Sequence, residues 1–472
     1  MKKITIFFLA ILVFSCSGDF GEVVDFTVVE NPNLSEASVV GQPNSSTIWL
    51  TGLERQLALV FNETLVLSEL GSDNYVNTQT FFNQFMDGLN IQITDPDMRD
   101  TQRAIQRLRE LALFGKNSVG PGDPNFTAAT EAEYNYFEGL SYLFSAMYFS
   151  ALPAEPLGAP IAAEQHYQNA ITAFDAAISA NAKPEYHLAK ARANYYLGNK
   201  TGAVQAANAA LALDPAFDRM AIFDEANNPD NTFEDALYER ATFDDLQPLP
   251  TLDFLDPKYS FLDTEQDAPV HYMKAEEALL ILAEAALSDN DIAAARTNLT
   301  ALIDLVGTRE VRNIDDSIEA RIEVEPGSRP DKTTVVVNGR SGLVLDRQAG
   351  NVDVPSVSGT SLTAADIAAM ADDDAGLTLL YRTRQEVFIA EGLRFVDMGV
   401  KLVIDENEIL LNENINEGDA GTTPLIPSFI SAVVADLDAI TYDATAGTAT
   451  TAIDLSAVLV ANKSATEVVP FE

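Results

Sequence analysis

Cysteine, histidine and tryptophan are almost missing from this sequence of 472 residues. Cys16 is the only cysteine, which excludes a disulfide within the chain and a cysteine-based metal cluster. Histidine occurs as His166, His187 and His271, without the spacing of a zinc motif, and we expect each on a helix surface or in a hydrogen bond. Trp49 lies in an apolar stripe of helical spacing, so we expect its ring in the core. The sequence therefore predicts no metal and no other cofactor.

Basic residues are scarce as well. The chain has 29 lysines and arginines against 71 aspartates and glutamates, which gives a formal net charge of -42. Nucleic-acid binding depends on cationic side chains that neutralise phosphates, so a nucleic-acid partner is excluded. The acidic residues recur along the whole length, and no Asp-x-Asp-x-Asp-Gly loop is present. We therefore predict an acidic, solvated surface and not a calcium site.

The sequence also lacks common catalytic motifs. The sequence contains no Gly-x-Ser-x-Gly turn for a nucleophile and no glycine-rich phosphate loop. Among 71 carboxylates, some pair will by chance lie at the separation that glycosidases use. Such a pair is therefore weak evidence for glycosidase activity. We predict that the protein is not an enzyme. A lipid-anchored hydrolase is the alternative, and release of soluble oligosaccharides from a polymer would indicate it.

The first 16 residues have the organisation of a bacterial export signal. Lys2 and Lys3 precede an apolar run over residues 4–14. The run is too short for a bilayer, which needs about 20 apolar residues. Residues 13–16, VFSC, are similar to a lipobox, in which the cysteine is acylated through sulfur. We predict a signal peptide at residues 1–15 and lipid attachment at Cys16; the alternative is a spare thiol inside a signal sequence.

The remainder divides into a tether at residues 16–48 and a body at residues 49–472. The tether is rich in Asn, Pro, Ser and Glu and lacks periodicity. The body begins with apolar residues three or four apart, as in Leu53, Leu57 and Phe61, which indicates a helix. No later segment is long, apolar and uncharged enough to span a bilayer, so we expect membrane attachment through the lipid anchor only.

Helical hairpins recur over about residues 131–306. Leu197-Gly198 is typical of the turn of a tetratricopeptide hairpin, and small residues follow it at helical spacing up to Pro215. Apolar stripes also flank the polar turn at residues 288–291. Repeated hairpins of this kind stack on one another and bury a continuous core. The sequence therefore predicts a tetratricopeptide-like scaffold.

A change of composition at about residues 323–359 indicates a small β excursion from the helical body. Asn338-Gly339 lies there between apolar residues and is typical of a β-hairpin turn. The tail, residues 424–472, has no pattern that assigns it. The predicted fold class is mainly α: a tetratricopeptide-like scaffold of helical hairpins with long loops and a small β excursion.

Between the first two predicted helices, residues 71–80 form a polar, amide-rich stretch that we expect to be an exposed loop. Amides donate and accept hydrogen bonds and a tyrosine offers a flat face, as the binding of a polar ligand requires. An ordinary turn, in which Asp and Asn side chains bond nearby backbone, is the alternative. The residues predicted to contact a ligand are Asp73, Asn74, Tyr75, Asn77 and Gln79.

Three segments resemble one known family. They are residues 255–259 (LDPKY), 271–286 (HYMKAEEALLILAEAA) and 381–398 (YRTRQEVFIAEGLRFVDM). Together with the lipobox and the tetratricopeptide-like scaffold, they follow in an order and spacing similar to the SusD/RagB outer-membrane lipoproteins of the Bacteroidetes. The resemblance extends over nearly the full length.

The resemblance implies a surface-exposed lipoprotein that captures a nutrient, usually an oligosaccharide, and delivers it to a SusC-like TonB-dependent transporter. The family binds ligands through variable loops, so no ligand residue is carried over. Because the chain has one tryptophan for stacking on sugars, a peptide or another polar nutrient is also possible. A tetratricopeptide protein that assembles envelope proteins is the alternative function. The charged residues expected in scaffold ion pairs are Arg382, Arg384, Glu386, Glu391, Arg394 and Asp397.

Overall fold

A computed structural model describes residues 39–77, 83–227, 229–238, 246–258, 267–315, 329–346, 350–467 and 471. The signal peptide, Cys16 and most of the tether lie outside the described residues. Within them, helices dominate and the strands are short and form sheets of two or three, which confirms the mainly α fold class. No helix of the described chain is long and apolar enough to cross a bilayer.

The helices of the described chain are α1 (Ser45–Leu70), α2 (Gln84–Asp87), α3 (Pro96–Phe114), α4 (Ala128–Tyr148), α5 (Ala163–Ala180), α6 (Pro184–Tyr196), α7 (Lys200–Leu213), α8 (Thr232–Tyr238), α9 (Ala275–Ser288), α10 (Ile292–Val306), α11 (Ala364–Ala369), α12 (Asp373–Val387), α13 (Leu393–Asp397), α14 (Glu406–Leu411), α15 (Ser428–Ser431) and α16 (Leu455–Ala461). A π-helical turn, Gly115–Val119, and a single turn, Gly120–Gly122, follow α3.

The strands are β1 (Tyr75–Asn77), β2 (Ala151–Pro153), β3 (Pro160–Ala162), β4 (Asp218–Ala221), β5 (Leu246–Pro248), β6 (Val270–Lys274), β7 (Val311–Asp315), β8 (Val336–Val337), β9 (Asn351–Pro355), β10 (Ile440–Asp443) and β11 (Thr448–Thr451). Four pairs are antiparallel: β1 with β5, β2 with β3, β4 with β6 and β7 with β9. The fifth sheet has the order β10-β11-β8.

The hairpin predicted around Leu197-Gly198 is formed by α6 and α7. Gly198 has a φ of 70°, a left-handed conformation that favours glycine after a helix end. The side chain of Asn199 then caps α7 by accepting a hydrogen bond from a backbone N–H in its first turn at 3.2 Å. Ala203 and Ala207 are fully buried, so their small side chains let α7 pack closely against its neighbours.

The second predicted hairpin is formed by α9 and α10. Asp291 caps α10 by accepting a hydrogen bond from a backbone N–H in its first turn at 3.0 Å. A buried ion pair joins the two hairpins, because Arg192 of α6 donates from Nη2 to Oε2 of Glu277 in α9 at 2.6 Å. Both side chains are almost inaccessible to solvent. The hairpins therefore stack as a tetratricopeptide-like scaffold does.

The first helix begins at Ser45, inside the segment predicted as a tether (residues 16–48). The carboxylate of Asp123 accepts hydrogen bonds from the backbone N–H and the hydroxyl of Ser46, at 3.0 and 2.5 Å. A distant side chain thus satisfies groups at the helix start, which local periodicity does not reveal. Trp49 is half-buried, and its Nε1 donates to a backbone carbonyl of α3 at 2.9 Å.

Residues 381–398, which include the charged residues expected in scaffold ion pairs, do not form one continuous helix. The helix α12 ends at Val387, and α13 begins at Leu393. Between them, Gly392 has a φ of 75°. A Cβ at this position would lie 2.6 Å from the hydroxyl of Tyr148, so the turn requires glycine. The break lets the charged side chains of the segment reach separate parts of the fold.

The Asn338-Gly339 turn is present, but the predicted β-hairpin around it is not formed by two paired strands. Val337 and Arg340 exchange backbone hydrogen bonds at 2.7 and 2.8 Å, and both residues between them have positive φ, as in a type I′ turn. Beyond this turn, β8 pairs in parallel with β11 of the tail. The tail that the sequence left unassigned therefore completes this sheet.

Candidate functional site

The described part of the stretch predicted as an exposed loop, residues 71–77, is largely buried, so the expectation of exposure is wrong for these residues. Residues 71–75 are buried, and Tyr75 is only 1% exposed. The ring of Tyr75 packs edge-on against Phe233, with 5.4 Å between centroids. Since β1 pairs with β5, the segment is covered by a part of the chain more than one hundred residues away. A pattern of polar residues does not show this cover, because the partner is distant in sequence.

The polar side chains of this segment are bonded mainly within the fold. Asn74 donates from Nδ2 to Glu69 at 2.7 Å, and its Oδ1 accepts a hydrogen bond from Gln385 at 3.0 Å. The backbone N–H of Asn77 donates to a carboxylate oxygen of Asp87 at 3.2 Å. The bonds of Asn74 go to side chains, one of them 311 positions away, and not to the nearby backbone that an ordinary turn would use. The role of this segment in ligand binding stays a prediction, and Gln79 lies outside the described residues.

Asp73 is the predicted residue that reaches a cleft. It lines a partly open cavity of about 330 Å³, which we name the Asp73 cleft. The walls come from segments that are far apart in sequence: the end of α1, the turn after β8, α12, the strand β11 and the start of α16. The polar residues that line the cleft are Asp73, Thr251, Asn338, Arg340, Arg382, Gln385, Glu386, Thr451, Asp454 and Ser456.

The turn after β8 presents Asn338 at the rim of the cleft in a fixed orientation. The Nδ2 of Asn338 donates to the hydroxyl of Thr451 at 2.9 Å, and its Oδ1 accepts from the backbone N–H of Thr451 at 3.1 Å. Thr451 also donates its hydroxyl to a nearby backbone carbonyl at 2.9 Å. These bonds hold the turn against β11, so the rim is preorganised.

Two arginines supply the cationic donors of the cleft. Arg340 donates to the hydroxyl of Ser361 at 2.9 Å and lies 3.8 Å from Glu386, and burial lowers its pKa. Arg382 has a side chain that is 33% exposed, and its Nη2 lies 3.3 Å from Asp454. An arginine with several N–H donors and one long contact has donors left for hydroxyl or carbonyl groups of a ligand.

A buried charge network surrounds the turn at residues 391–392, which follows the α12 wall of the cleft. Lys274 donates to Glu391 at 2.5 Å, and Lys258 donates to the same carboxylate. Burial lowers the pKa of Lys258 to about 8. On the other side of the turn at Gly392, burial raises the pKa of Glu69 to about 7, although Glu69 accepts a hydrogen bond from the Gly392 N–H at 2.8 Å. The network fixes the turn between α12 and α13, which positions the α12 wall.

A second, larger cavity of about 530 Å³ lies beside α6 and residues 464–467. Tyrosines line it, yet Tyr167, Tyr195 and Tyr381 are 4%, 1% and 1% exposed. Their rings pack within the fold, as in the stack of Tyr167 on Tyr196 at 6.2 Å between centroids. We take the Asp73 cleft as the candidate site because polar side chains from distant segments converge on it, among them Asp73, one of the residues predicted to contact a ligand.

The charged residues of the family-like segment form the expected tertiary ion pairs. Arg384 donates to Asp397 at 2.6 Å, and both are buried. Arg382 and Glu386 nevertheless also line the cleft, although we expected them to serve the scaffold alone. This role could not be predicted from the sequence, because other walls of the cleft come from the turn after β8 and from the tail.

Histidine and carboxylate side chains do not assemble a metal centre in the described part of the chain. His166 is buried, its Nε2 is 2.8 Å from a backbone carbonyl, and burial lowers its pKa to about 4. His271 forms a 2.7 Å contact from Nδ1 to Asp218. Both histidines are thus hydrogen-bonded, as expected.

Known proteins match this chain by structure and not by sequence. No family model matches it, and no curated protein is similar to it. A candidate sugar-binding protein from Bacteroides vulgatus has a TM-score of 0.54 and 13% identity, over 80% of this chain and 99% of that one. A SusD superfamily protein from the same organism has a TM-score of 0.53 and 11% identity, over 79% and 98%. A SusD superfamily protein from Bacteroides fragilis has a TM-score of 0.50 and 15% identity, over 80% and 100%.

The described chain is thus a helical-hairpin protein with a polar surface cleft. Its fold is similar to that of these solved SusD superfamily proteins, as the resemblance in the sequence implied. At these identities the structural likeness establishes the fold alone.

Proposed function

We propose that this protein captures a polar nutrient, an oligosaccharide in the first instance, in the Asp73 cleft. It then delivers the nutrient to a SusC-like TonB-dependent transporter. In this proposal the protein is held on the surface of the outer membrane by acylated Cys16 after residues 1–15 are removed. The observation that carries the proposal is the convergence of hydrogen-bonding side chains from distant segments on one open cleft.

The charges of the cleft favour a neutral ligand. Asp73 is paired with Arg394, and Glu386 and Asp454 lie beside Arg340 and Arg382. Positive and negative side chains therefore balance locally, in a chain whose formal net charge is -42. A neutral ligand rich in hydroxyl groups can accept from the arginines and donate to the carboxylates without burying an unpaired charge.

A solved structure of similar fold supports the proposal that the ligand is a sugar. A protein of the same fold with a TM-score of 0.54 is described as a candidate sugar-binding protein. No aromatic ring is among the described residues that line the Asp73 cleft. We therefore propose that hydrogen bonds to sugar hydroxyls, and not ring stacking, supply most of the recognition.

The proposed function is binding without a chemical step. A general acid or base needs a carboxyl group that is free to exchange a proton with its substrate. Glu386 accepts hydrogen bonds from Thr360, at 2.7 Å, and from Ser361. Asp454 caps α16 by accepting a backbone hydrogen bond at 3.1 Å, and Asp73 is held by an arginine. The carboxylates of the lining are thus occupied in maintaining the fold.

An array of glycans and peptides, probed with residues 17–472, tests the ligand class. We expect binding to neutral oligosaccharides and none to peptides. Binding to peptides and to no oligosaccharide would contradict the proposal that the ligand is an oligosaccharide. Crosslinking in native membranes tests the partner, and we expect a large β-barrel transporter in the crosslinked product.

A further inference from the structure

A third cavity, of about 240 Å³, adjoins the Asp73 cleft, and we name it the Leu379 pocket after one of its lining residues. Arg340, Arg382 and Glu386 line both cavities, so these side chains form the boundary between them. Cavities that hold a whole small molecule measure roughly 300–1,000 Å³. The Leu379 pocket therefore has the size to receive one part of a ligand that is held in the cleft.

Three leucines give the Leu379 pocket an apolar lining. Leu343, which follows the turn after β8, and Leu362, which precedes α11, are both buried. Leu379 lines the pocket from a half-buried position in α12. Transfer of an apolar group from water to such a lining is favourable, because it removes apolar surface from water. The pocket therefore favours a ligand group with an apolar end.

The buried side-chain oxygen atoms of the pocket form hydrogen bonds within the fold. Glu386 accepts from the hydroxyl of Thr360 at 2.7 Å, and from the N–H and the hydroxyl of Ser361 at 2.7 and 2.5 Å. The hydroxyl of Thr383, another residue of the lining, donates to the carbonyl of Leu379 at 2.9 Å. A ligand group that enters the pocket therefore meets few oxygen atoms that are still free to accept a hydrogen bond.

The two arginines at the boundary supply hydrogen-bond donors. Arg340 donates to the hydroxyl of Ser361 at 2.9 Å, and Arg382 donates to Asp454 at 3.3 Å. A guanidinium group has five N–H donors and no acceptor, so both arginines have donors left for a ligand. The Leu379 pocket thus offers donors at its boundary and apolar contact in its lining.

This combination favours an ester group over a hydroxyl or an anion. A hydroxyl both donates and accepts, and its O–H would lack an acceptor in the pocket. An acetyl ester has oxygen atoms that only accept, an apolar methyl group and no charge. A carboxylate or a sulfate also accepts only. However, Arg340 and Arg382 already balance Asp366 and Glu386 in the lining, so a bound anion would add an unpaired negative charge.

We infer that the Leu379 pocket binds the acetyl ester group of an O-acetylated sugar whose ring lies in the Asp73 cleft. The ester carbonyl accepts hydrogen bonds from Arg340 and Arg382, and the methyl group contacts Leu379 and its neighbours. The inference rests on the proposed function, because it needs a sugar in the cleft. It narrows the ligand class from a neutral oligosaccharide to an acetylated one.

The test is an array on which neutral oligosaccharides are present both with O-acetyl groups and after removal of these groups by mild alkali. Residues 17–472 are the protein that is applied. We expect an acetylated oligosaccharide to bind at least tenfold more tightly than its de-esterified form. Equal affinity for the two forms of every bound oligosaccharide would overturn the inference and leave oligosaccharide capture intact. Absence of binding to both forms would contradict the proposed function, and the inference with it.

Two variants test whether the preference for the acetylated form arises in this pocket. Ser341 lines the pocket from an exposed position, so Ser341→Phe should fill the pocket without disturbing the core. Leu379→Asn removes apolar contact with the methyl group. Both variants should reduce the tenfold preference to less than twofold and keep the wild-type affinity for the de-esterified form.

Ser431→Phe is the matched control, because it introduces the same ring at an exposed position of α15, outside the lining of both cavities. It should keep the tenfold preference. Melting temperatures show whether each variant is folded, and Ser341→Phe decides the matter if Leu379→Asn is unstable. A tenfold preference that persists in folded Ser341→Phe would overturn the assignment of the acetyl group to the Leu379 pocket.

Discussion

Arg394 holds Asp73 with two hydrogen bonds, from Nε to Oδ1 at 2.6 Å and from Nη2 to Oδ2 at 3.0 Å. The two residues are separated by 321 positions, and both are buried. A bidentate pair of this kind fixes direction as well as distance. It joins the segment after α1 to α13 and thereby sets one wall of the Asp73 cleft.

Removing the arginine of this pair should destabilise the protein strongly. Arg394→Met leaves the carboxylate of Asp73 buried without its cation, which costs roughly 3–5 kcal/mol in comparable pairs. The double variant Asp73→Leu/Arg394→Met should lose less stability than the two single variants combined. Chemical denaturation of residues 17–472 measures these changes. Arg103→Met is the control, because the Arg103 side chain is 71% exposed, and an unchanged midpoint for Arg394→Met would contradict the structural role of the pair.

The close packing of α7 predicts that a larger side chain is not tolerated at Ala207, which is fully buried. Ala207→Phe should lower the free energy of unfolding by about 1–3 kcal/mol, because the neighbouring helices have no space for the ring. Gln205→Phe introduces the same ring at an exposed position of the same helix and should change stability little. Equal melting temperatures for the two variants would argue against the tetratricopeptide-like packing.

The buried carboxyl group of Glu284 should make the folded protein less stable as pH rises. Burial raises its pKa to about 7 from the usual 4.5, although Tyr195 donates a hydrogen bond to it at 2.6 Å. The folded state therefore keeps its proton between pH 4.5 and 7 while the unfolded chain releases it. The contribution of Glu284 to the free energy of unfolding is therefore greatest below pH 4.5. It is lost as pH rises through 7, by an amount on the order of 3 kcal/mol.

Denaturation of Glu284→Gln at pH 5 and pH 8 measures this contribution. The variant should show a smaller decrease in unfolding free energy between the two pH values than wild type. Glu54→Gln, at an exposed position of α1, should keep the wild-type decrease. Parallel curves for wild type and Glu284→Gln would show that Glu284 does not titrate in this range.

Cys16 is predicted to attach the protein to the outer membrane through a lipid. Cys16→Ala should abolish incorporation of labelled palmitate and release the protein from the outer-membrane fraction or leave it uncleaved, because no other thiol is present. Ser17→Ala is the neighbouring control and should remain in the membrane. Membrane partition of Cys16→Ala, with no palmitate on the wild type, would contradict lipid anchoring.

The helices were predictable because their signals are local. The spacing of Leu53, Leu57 and Phe61, and the Leu197-Gly198 turn, depend on residues that are neighbours on one helix or in one turn. The start of α1 was not predictable in this way, since the carboxylate that accepts a hydrogen bond from the Ser46 N–H belongs to the distant Asp123. Local periodicity therefore gave the scaffold and missed elements that distant side chains complete.

The cleft was less predictable for the same reason. The polar residues at 71–77 include Asp73, which lines the cleft, but the burial of Tyr75 by β5 and Phe233 was not visible in the sequence. The turn at Asn338 becomes part of a wall only because β8 pairs with β11. Such pairing of distant strands has no signature in a single sequence.

Calorimetry with the oligosaccharide identified on the array tests the central claim most directly. In Arg382→Ala, loss of charged hydrogen bonds to the ligand should weaken binding by about 1–3 kcal/mol. The melting temperature should change little, because Arg382 is partly exposed and has one long contact, at 3.3 Å. Arg103→Ala, outside the cleft, should bind as wild type does. Wild-type affinity in both Arg382→Ala and Asn338→Ala, with the fold intact, would contradict capture in the Asp73 cleft.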